Sequence, residues 1–312
     1  MKKATLIYNP IAGRHRARRE KEIRKAADVL GRAGIAVQLA PTTGPGAAED
    51  LARAATHQGS DLVLACGGDG TINEVINGLA PSQVPLGVLP GGTANILGKE
   101  LKLPHNPVRA AEQLPRWTPC RIALGQATWQ AASPAAATAP DQKGPRRRYF
   151  VSVAGIGFDA HIVYKLSFEL KMSWGVAGYV AEAFRQAVRY GFPPFSCHMD
   201  GRESCATFAV IHRTRIYAGW LHLAPTASLF EPRFTVCCFP SRRWARYLLY
   251  ASAVLTRQHL RLSDVDLVDA RKVSCAATEP GTTIYFEVDG ELAGTLPATF
   301  EIVPDALTLL VP

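Results

Sequence analysis

Short apolar runs alternate with longer amphipathic segments over the first part of the chain. Compact apolar runs favour buried strands, whereas segments with apolar positions three or four residues apart favour helices. The predicted strands are Ala4–Tyr8, Ile35–Leu39, Leu62–Ala65 and Leu86–Leu89, and the predicted helices are Arg14–Gly34, Ala47–His57, Thr71–Leu79 and a segment that ends at Leu101. Strands that alternate with helices of this length predict an α/β domain built on a parallel sheet.

The pattern changes near residue 118, after a stretch punctuated by prolines. The strands predicted beyond it are Arg121–Gln130, Tyr149–Ala154, Ser196–Met199, Thr207–His212, Phe234–Phe239, Lys272–Ala276, Thr283–Val288 and Thr299–Ile302, with helices at Ala160–Tyr190 and Arg242–His259. Runs of short strands predict an antiparallel β-sandwich or barrel-like second domain. We therefore expect domains at 1–118 and 119–306, with 307–312 as a candidate to return to the first.

One internal segment, Ala131–Arg148, differs from its surroundings. It is rich in alanine and proline and ends in three arginines. Composition of this kind predicts a flexible loop, which would join the first two predicted strands of the second domain.

The composition narrows the class of protein without choosing a function. The chain has 312 residues, 47% of them hydrophobic and 20% charged, which excludes a disordered chain and leaves room for two cores. A net charge of +9 favours nucleotides, nucleic acid or an anionic membrane surface as partners. Seven scattered cysteines are typical of reduced thiols, and no apolar run reaches the ~20 residues of a spanning helix. We expect a cytoplasmic protein.

The segment most indicative of chemistry is Gly67-Gly68-Asp69-Gly70-Thr71, between a predicted buried strand and a predicted helix. Glycines let backbone N–H groups approach phosphate oxygens, and the start of a helix adds partial positive charge. Thr71 would cap that helix and offer a hydroxyl. The Asp69 carboxylate would repel phosphate unless a Mg²⁺ ion lay between them. The alternative is an ordinary strand–helix turn in which Asp69 is a cap.

Three further loops follow predicted strands of the same sheet, at Asn9–Gly13, Thr42–Gly46 and Gly91–Asn95. Loops at the carboxyl ends of parallel strands converge on one crevice. Each loop alone fits a plain turn equally well. Four glycine-rich or polar loops at successive strand ends together predict a phosphate-binding crevice.

Two later patterns are less specific. Gly155–Ala160 fits a dinucleotide-binding fingerprint, but it lies in the β-rich half, without the βαβ unit that such a fingerprint needs. Asp289 is followed by glycine, as is Asp200, and both pairs are typical of hairpin turns. Spacing alone does not show whether Asp289 is catalytic or only a turn residue. Asp289 differs from Asp200 in having Glu291 two positions later.

The motifs occur in a fixed order along the chain, as Tyr8-Asn9-Pro10, Gly67–Thr71 with Glu74, Pro90–Asn95, Gly157–Ala160 and Val288–Glu291. With this set the chain resembles the bacterial lipid kinases of the diacylglycerol kinase catalytic-domain family, which includes sphingosine and ceramide kinases. The resemblance covers essentially the whole chain, and the ordered set is far more specific than any one motif. It implies an ATP-dependent lipid kinase, with ATP and Mg²⁺ in a cleft between an α/β domain and a β-sandwich domain.

The resemblance also implies residue roles by motif match. The implied nucleotide contacts are Asn9, Thr42, Gly67, Gly68, Asp69, Gly70, Thr71 and Thr93. Asp289 would be the general base and Glu291 its neighbour, while Asp159 receives no role. A positioned carboxylate can accept the proton of a lipid hydroxyl as that hydroxyl attacks the γ-phosphate. On this hypothesis Asp289→Asn abolishes turnover while nucleotide still binds.

The chain departs from the family pattern at a structural magnesium site. Relatives often carry Asp-Gly in the loop after an Ala-Pro motif, where this chain has Glu231-Pro232. Glu231 is the remaining candidate metal ligand. The stretch Arg213–Tyr217 lacks the asparagine usual in relatives, and Asn95 is followed by Ile96 instead of aspartate.

Two other functions stay open. An NAD kinase-like enzyme also uses the Gly67–Thr71 motif, although the chain lacks the Asn-Glu motif and the Gly-Thr-rich segment expected of it. A nucleotide-binding regulator without catalysis would fit the altered loop at 231–232. Phosphate transfer to a lipid panel, with NAD in the same assay, separates the three hypotheses.

Two surface features concern partners. Seven basic residues crowd positions 14–25 of the predicted helix at 14–34, which is typical of a solvated face and also of attraction to nucleotide or membrane. Trp244–Tyr250 is aromatic, basic and apolar, so it favours core packing, with a bilayer interface as the alternative. Because the substrate would be a lipid, we expect peripheral binding at the inner face of the membrane and no nucleic-acid partner. The particular lipid and the oligomeric state stay open.

Overall fold

The computed structural model describes residues 1–12, 16–130, 144–165 and 189–312. Its first part consists of β1 (Lys3–Tyr8), α1 (Arg16–Arg32), β2 (Ala36–Pro41), α2 (Ala47–His57), β3 (Leu62–Gly67), α3 (Asp69–Leu79), β4 (Leu86–Pro90), α4 (Ile96–Glu100) and α5 (Pro107–Gln113). The rest consists of β5 (Thr118–Gln130), β6 (Pro145–Phe150), β7 (Val153–Gly157), α6 (Phe158–Lys165), β8 (Phe195–Met199), β9 (Arg202–Ala206), β10 (Phe208–His212), β11 (Phe234–Phe239), α7 (Trp244–Leu255), β12 (Asp266–Ala270), β13 (Lys272–Ala277), β14 (Tyr285–Val288), β15 (Glu291–Thr295) and β16 (Ala298–Val311).

The strands form two sheets. The larger has the order β2-β1-β3-β4-β16-β13-β8-β9, with β5 paired to β16 and β6. Strands β1 to β4 run parallel, and β16 joins β4 in parallel at Leu309, whereas the remaining pairs of this sheet are antiparallel. The smaller sheet, β12-β11-β10-β7-β14-β15, is antiparallel throughout. These sheets confirm the predicted parallel α/β part followed by a β-sandwich-like part.

Three hydrophobic clusters form the cores on the faces of the two sheets. Strand β3 is buried along its whole length, as expected of a central parallel strand covered on both faces. The antiparallel end of the larger sheet faces the smaller sheet across a core rich in phenylalanine, including Phe150, Phe234 and Phe286. On the other face of the smaller sheet, α7 packs Tyr247 and Tyr250 into a third cluster. The smaller sheet is therefore covered on both faces.

The predicted flexible loop at Ala131–Arg148 is wrong at its end. Strand β6 begins at Pro145 and pairs with β5, from Gln130 opposite Pro145 to Gly125 opposite Phe150. Three consecutive arginines hide the alternation of a strand, because arginine is polar on both faces of the sheet. Residues 131–143 lie outside the described residues.

Several helix boundaries differ from those predicted. Helix α3 begins at Asp69, two residues early, because Gly68 is extended (φ −84°, ψ −179°) and the chain turns directly after it. Helix α5 is not among the predicted helices, because it lies in the proline-punctuated stretch before residue 118. Its opening Pro107 suits a helix start, which Asn106 caps. The predicted helix Ala160–Tyr190 is described as α6 as far as Lys165, and residues 166–188 lie outside the described part.

Candidate functional site

Two glycine turns meet where β3 and β4 end. The Gly91 N–H donates to the Gly67 carbonyl at 3.1 Å, so the turns run side by side. A Cβ atom on Gly92 would overlap the Cα atom of Gly68. Because only glycine lacks a Cβ, this close approach requires glycine at position 92, and the two turns form a continuous backbone surface.

Arg19 joins these turns to the loop after β1. It is only 5% exposed, and its guanidinium donates to the carbonyls of Gly91 at 2.6 Å and Ala12 at 3.1 Å. The interpretation of the basic helix as a solvated face is therefore wrong at Arg19. Sequence composition does not reveal which side of a helix packs against its neighbours.

The predicted contacts Asn9, Thr42 and Thr93 lie at the same edge of the sheet. Asn9 follows β1 and its side-chain oxygen accepts from the Ile11 N–H at 3.0 Å, forming a local turn. The Thr42 N–H donates to the Tyr8 carbonyl at 2.9 Å, and Thr93 is exposed in the turn before α4. The structure thus brings the four predicted loops together.

Asp69 bridges the starts of two helices. It is the first residue of α3, and its carboxylate accepts from the Ile96 N–H at 2.7 Å and the Asn95 N–H at 3.0 Å, at the start of α4. Burial raises the pKa of Asp69, and the two hydrogen bonds oppose that rise. The Asp69 carboxylate therefore has the capping role of the alternative interpretation, and a Mg²⁺ contact at Asp69 stays a prediction.

Glu74 fixes the loop that carries Thr42. Its two carboxylate oxygens accept from the Gly46 N–H at 2.9 Å and the Ala48 N–H at 3.1 Å, at the start of α2. A carboxylate at a helix N-terminus satisfies unpaired donors and complements the helix dipole. Glu74 therefore links α3 to α2.

Glu291 reaches the glycine turn from the other half of the molecule. A Cβ atom on Gly70 would overlap Oε1 of Glu291, while Oε2 of Glu291 accepts from Nη2 of Arg148. The side chains of Glu291 and Arg148 are 41% and 25% exposed. One oxygen of Glu291 is thus held by Arg148 while the other faces the start of α3.

Asp289 is bound on all sides. Its carboxylate accepts from the N–H groups of Val151, Ser152 and Val153 and from Nδ2 of Asn73, at 2.8–3.0 Å, and it is 6% exposed. Burial raises the pKa of Asp289, and these donors oppose that rise. Two bonds to each oxygen occupy the lone pairs that a general base would use.

The second Asp-Gly pair provides an internal comparison. Asp200 and Asp289 have left-handed backbones (φ 45° and 49°) and each is followed by a left-handed glycine, as in a two-residue hairpin turn. The Asp200 carboxylate also binds backbone, accepting from the N–H groups of Arg271 and Lys272. Both aspartates therefore join a hairpin to an adjacent strand, and Glu291 is the feature that distinguishes the second hairpin.

Two residues that were not among the predicted site residues connect the hairpin of Asp289 and Glu291 to the first domain. Arg148, besides binding Glu291, donates from Nε to Oδ1 of Asn73 at 3.0 Å. Asn73 in turn donates to Asp289 at 2.8 Å and to the Tyr149 carbonyl at 3.0 Å. Asn73 stands two residues after the Gly67–Thr71 motif, which was a usable signal, whereas Arg148 was hidden in the misassigned loop.

Asp159 belongs to a separate buried acidic pair. Its carboxylate is hydrogen-bonded to Glu287 and accepts from the Tyr217 hydroxyl. A Cβ atom on Gly155 would overlap Oδ2 of Asp159, and Gly157 (φ 82°) would meet the Thr207 carbonyl. The glycines of the apparent dinucleotide fingerprint are thus required by packing. Burial, and then the neighbouring Asp159, raise the pKa of Glu287 well above its usual value.

The predicted metal ligand Glu231 faces outward. Its side chain is 49% exposed and pairs with Nη2 of Arg233 at 2.7 Å. Among the described residues, no group of three or more His, Cys, Asp and Glu side chains is placed to hold a metal ion. The loop around Glu231 is instead organised by Arg213, which is fully buried. The described residues therefore do not rebuild the family's structural magnesium site, and Glu231 as a metal ligand stays a prediction.

A glycine-rich turn at the end of a parallel sheet, opposed by an acidic hairpin from a β-sandwich, is the arrangement that the resemblance to lipid kinases implies. Residues 3–127 match the family model of the diacylglycerol kinase catalytic domain. Residues 152–311 match the model of the YegS C-terminal NAD kinase beta sandwich-like domain. The chain belongs to the diacylglycerol kinase family, and it is an ATP-dependent lipid kinase that transfers phosphate to a hydroxyl group.

Similar proteins cover nearly all of the chain. It is 28% identical over 305 residues to a diacylglycerol kinase of Bacillus subtilis, covering 96% of this chain and 93% of that protein. It is 27% identical over 303 residues to a diacylglycerol kinase of Staphylococcus aureus strain MRSA252, covering 96% and 89%. A crystal structure of a diacylglycerol kinase from Bacillus anthracis str. Sterne has the same fold, with a TM-score of 0.75, 22% identity, and coverage of 100% and 97%.

Proposed function

We propose that this enzyme phosphorylates diacylglycerol, with MgATP as the phosphoryl donor. Curated relatives over nearly the whole chain are named diacylglycerol kinases, which favours that lipid over ceramide, a sphingoid base or phosphatidylglycerol. The observation that carries the chemistry is the contact between Glu291 and Gly70, because it joins a proton acceptor to a phosphate-binding turn. Mg²⁺ enters as part of the nucleotide substrate.

The triphosphate would lie over the first turn of α3. The first backbone N–H groups of α3 have no partner within the helix, and the helix dipole favours negative charge at the N-terminus of α3. The paired glycine backbones at Gly68 and Gly92 leave an approach free of side chains. Thr71, Thr93, Asn9 and Thr42 surround that approach and would supply hydroxyl and amide groups.

Proton transfer is better supported at Glu291 than at Asp289. A base needs a lone pair directed at the substrate, and the four hydrogen bonds to Asp289 leave it none. Glu291 keeps Oε1 towards Gly70, and Arg148 fixes its orientation. We therefore assign Glu291 to accept the proton and Asp289 to hold the hairpin that presents it.

Transfer of radiolabelled phosphate from ATP to a lipid panel tests this function. The panel contains diacylglycerol, ceramide, sphingosine and phosphatidylglycerol, with NAD as a further acceptor because the C-terminal domain is NAD kinase-like. We expect diacylglycerol to be the preferred acceptor. Preferential labelling of another lipid would refute the substrate assignment, labelling of NAD alone would favour the NAD kinase-like alternative, and no labelling at all would favour a regulator.

Two variants separate the roles of the acidic residues. Glu291→Gln removes the base while keeping a partner for Arg148, so turnover falls about 10²–10⁴-fold with nucleotide affinity and thermal stability unchanged. Asp289→Asn places an NH₂ group against N–H donors, which costs about 1–3 kcal/mol of stability. If Glu291→Gln retains turnover and Asp289→Asn loses it at unchanged stability, then the opposite assignment is right.

We also propose a cytoplasmic enzyme that binds the inner face of the membrane peripherally. No helix in the described ranges is both long and apolar enough to cross a bilayer. A lipid acceptor resides in the bilayer, so the enzyme must reach that surface. The net charge of +9 favours an anionic surface.

A further inference from the structure

Helix α7 exposes an apolar face. Its other face packs Tyr247, Tyr250, Ala253 and Val254 against the smaller sheet. The outward residues are Trp244, Leu248, Leu249 and Leu255, which are 45%, 43%, 42% and 58% exposed. From Tyr247 to Leu255 the sequence carries no charged residue. A surface helix normally turns polar residues outward, and a contiguous exposed apolar face marks an interaction site.

The chain around α7 is strongly basic. From Pro232 to Ser263 it contains six arginines and no acidic residue. Arg246 pairs with Asp264 and Arg242 with Glu279. Arg243, Arg257 and Arg261 are exposed at the two ends of the helix. An apolar stripe with arginines at its ends complements the acyl and phosphate layers of an anionic bilayer.

Two polar contacts connect α7, through one loop, to the first domain beside the nucleotide site. Nε2 of His259 lies 2.8 Å from the Leu223 carbonyl, which ties the turn after α7 to the loop that carries Trp220, itself 53% exposed. That loop also contacts α4, the helix that follows the second glycine turn, because Nζ of Lys99 donates to the Gly219 carbonyl at 2.7 Å. The loop therefore links α7 to the crevice.

We propose that the α7 face, together with the exposed Trp220, docks the enzyme on an anionic lipid bilayer. The proposal rests on the proposed function, since only a lipid acceptor requires this contact. A symmetric dimer through the same face is less favourable, because it would bring two arginine-rich, acid-free segments together. Docking by α7 would orient the crevice towards the membrane surface that holds the acceptor.

The double variant Trp244→Glu with Leu248→Glu tests this surface. The control is Gln58→Glu with Gln113→Glu, which adds the same charge at exposed positions of the first domain. Sedimentation uses vesicles of phosphatidylcholine with phosphatidylglycerol. We expect the α7 variant to bind at least about tenfold more weakly than wild type, and the control to bind as wild type does. Equal binding by both variants would overturn the proposal.

Kinase assays separate this proposal from the proposed function. We expect the α7 variant to keep wild-type activity on a soluble short-chain diacylglycerol and to lose it on long-chain diacylglycerol in vesicles. If wild type binds vesicles through α7 but phosphorylates neither form, the docking surface stands and the proposed substrate falls. If wild type is a dimer that the α7 variant dissociates, without vesicle binding, the face is a protein interface and the proposal is wrong.

A second inference comes from Arg213, which is fully buried. Its guanidinium donates to backbone carbonyls of Ala123 at 2.9 Å, Leu229 at 2.6 Å and Arg233 at 2.7 Å, and also to those of Ser228 and Glu231. Burial lowers the pKa of Arg213 to about 10, which keeps it charged at neutral pH. A cation surrounded by carbonyl oxygens is the arrangement that a divalent metal would otherwise provide.

We infer that Arg213 is the built-in cation of the 223–233 loop, so that this loop folds without a divalent metal. The family places a structural magnesium in this loop, and the outward-facing Glu231 does not rebuild it. One positive charge fixed to the chain would hold the carbonyls at any metal concentration. The inference concerns this loop and not the Mg²⁺ that accompanies ATP.

Thermal unfolding without nucleotide tests the inference. We expect the wild-type Tm to be the same in EDTA and in Mg²⁺, and Arg213→Met to lower it by about 5–10 °C. Arg202→Met, which removes an exposed arginine paired with Asp266, whose side chain is 45% exposed, is the control and leaves Tm nearly unchanged. A wild-type Tm that falls in EDTA and recovers with Mg²⁺ would overturn the inference even if Arg213→Met fails to fold.

Discussion

Asp200 and Asp289 are each followed by a glycine, and each has a left-handed backbone conformation. The carboxylates of both accept hydrogen bonds from backbone N–H groups. The motif that first drew attention to Asp289 therefore describes a turn, and Glu291 at the start of β15 carries the feature that a turn does not need. Single residues in a motif acquire a role from the partners that surround their atoms. At this scale the sequence singled out this hairpin with both of its carboxylates, and the hydrogen bonds around Asp289 are what favour our proposal that Glu291 accepts the proton.

The buried pair of Glu287 and Asp159 predicts a pH-dependent stability. Because the folded-state pKa of Glu287 is raised, its stabilising effect is complete below the ordinary pKa near 4.5 and is lost as the pH rises towards the folded-state value. Glu287→Gln keeps the hydrogen bonds without needing a proton. Above about pH 4.5, the difference in free energy of unfolding between Glu287→Gln and wild type should therefore grow in favour of the variant by about 1 kcal/mol per pH unit.

Urea unfolding at a series of pH values measures this gain. Glu112→Gln, at an exposed position of α5, is the control and should show no pH-dependent difference from wild type. A constant difference between Glu287→Gln and wild type at all pH values would mean that Glu287 does not hold a proton in the folded protein.

At the scale of elements, carboxylates in and beside the glycine motif position helices. Asp69 caps α4 and Glu74 caps α2, so α3 fixes the starts of two neighbouring helices. The sequence predicted the strands and helices of this domain because their periods are local. It did not predict these caps, because each joins residues more than 25 positions apart.

Glu74→Ala should release the start of α2. The loss of two charge-assisted bonds to the Gly46 and Ala48 N–H groups costs about 1–2 kcal/mol of stability and weakens ATP binding through the Thr42 loop. Chemical denaturation and nucleotide titration measure both effects. Glu20→Ala, which removes an exposed ion pair with Arg24, should cost less than about 0.5 kcal/mol. Equal losses in the two variants would contradict the capping role.

At the scale of the molecule, β5 and β16 run through both halves. Strand β16 pairs with β13 near Ala298 and with β4 at Leu309, and β5 accompanies it along most of its length. Because these strands belong to both halves, the division of the chain into two domains near residue 118 stays a prediction. Long strands shared by two halves favour unfolding as one cooperative unit.

Leu309→Ala tests that cooperativity. Leu309 is fully buried where β16 meets β4 and β5, so the cavity should cost about 2–5 kcal/mol. We expect a single transition at lower temperature, coincident by circular dichroism and tryptophan fluorescence. The exposed Leu255→Ala should leave the transition within about 0.5 kcal/mol of wild type. Two separated transitions in the Leu309 variant would show that the halves unfold independently.

The sequence by itself determined the strand–helix alternation, the glycine turn at 67–71, the acidic hairpin at 289–291 and the family resemblance. Each depends on neighbouring residues, whose periodicity and turn preferences are local properties of the chain. Only the tertiary structure decided that Asp289 is fully bound, that Arg148 holds Glu291, that Arg213 organises the 223–233 loop and that α7 turns an apolar face outward. Those facts depend on burial and on contacts between residues far apart in the chain, which local patterns do not encode.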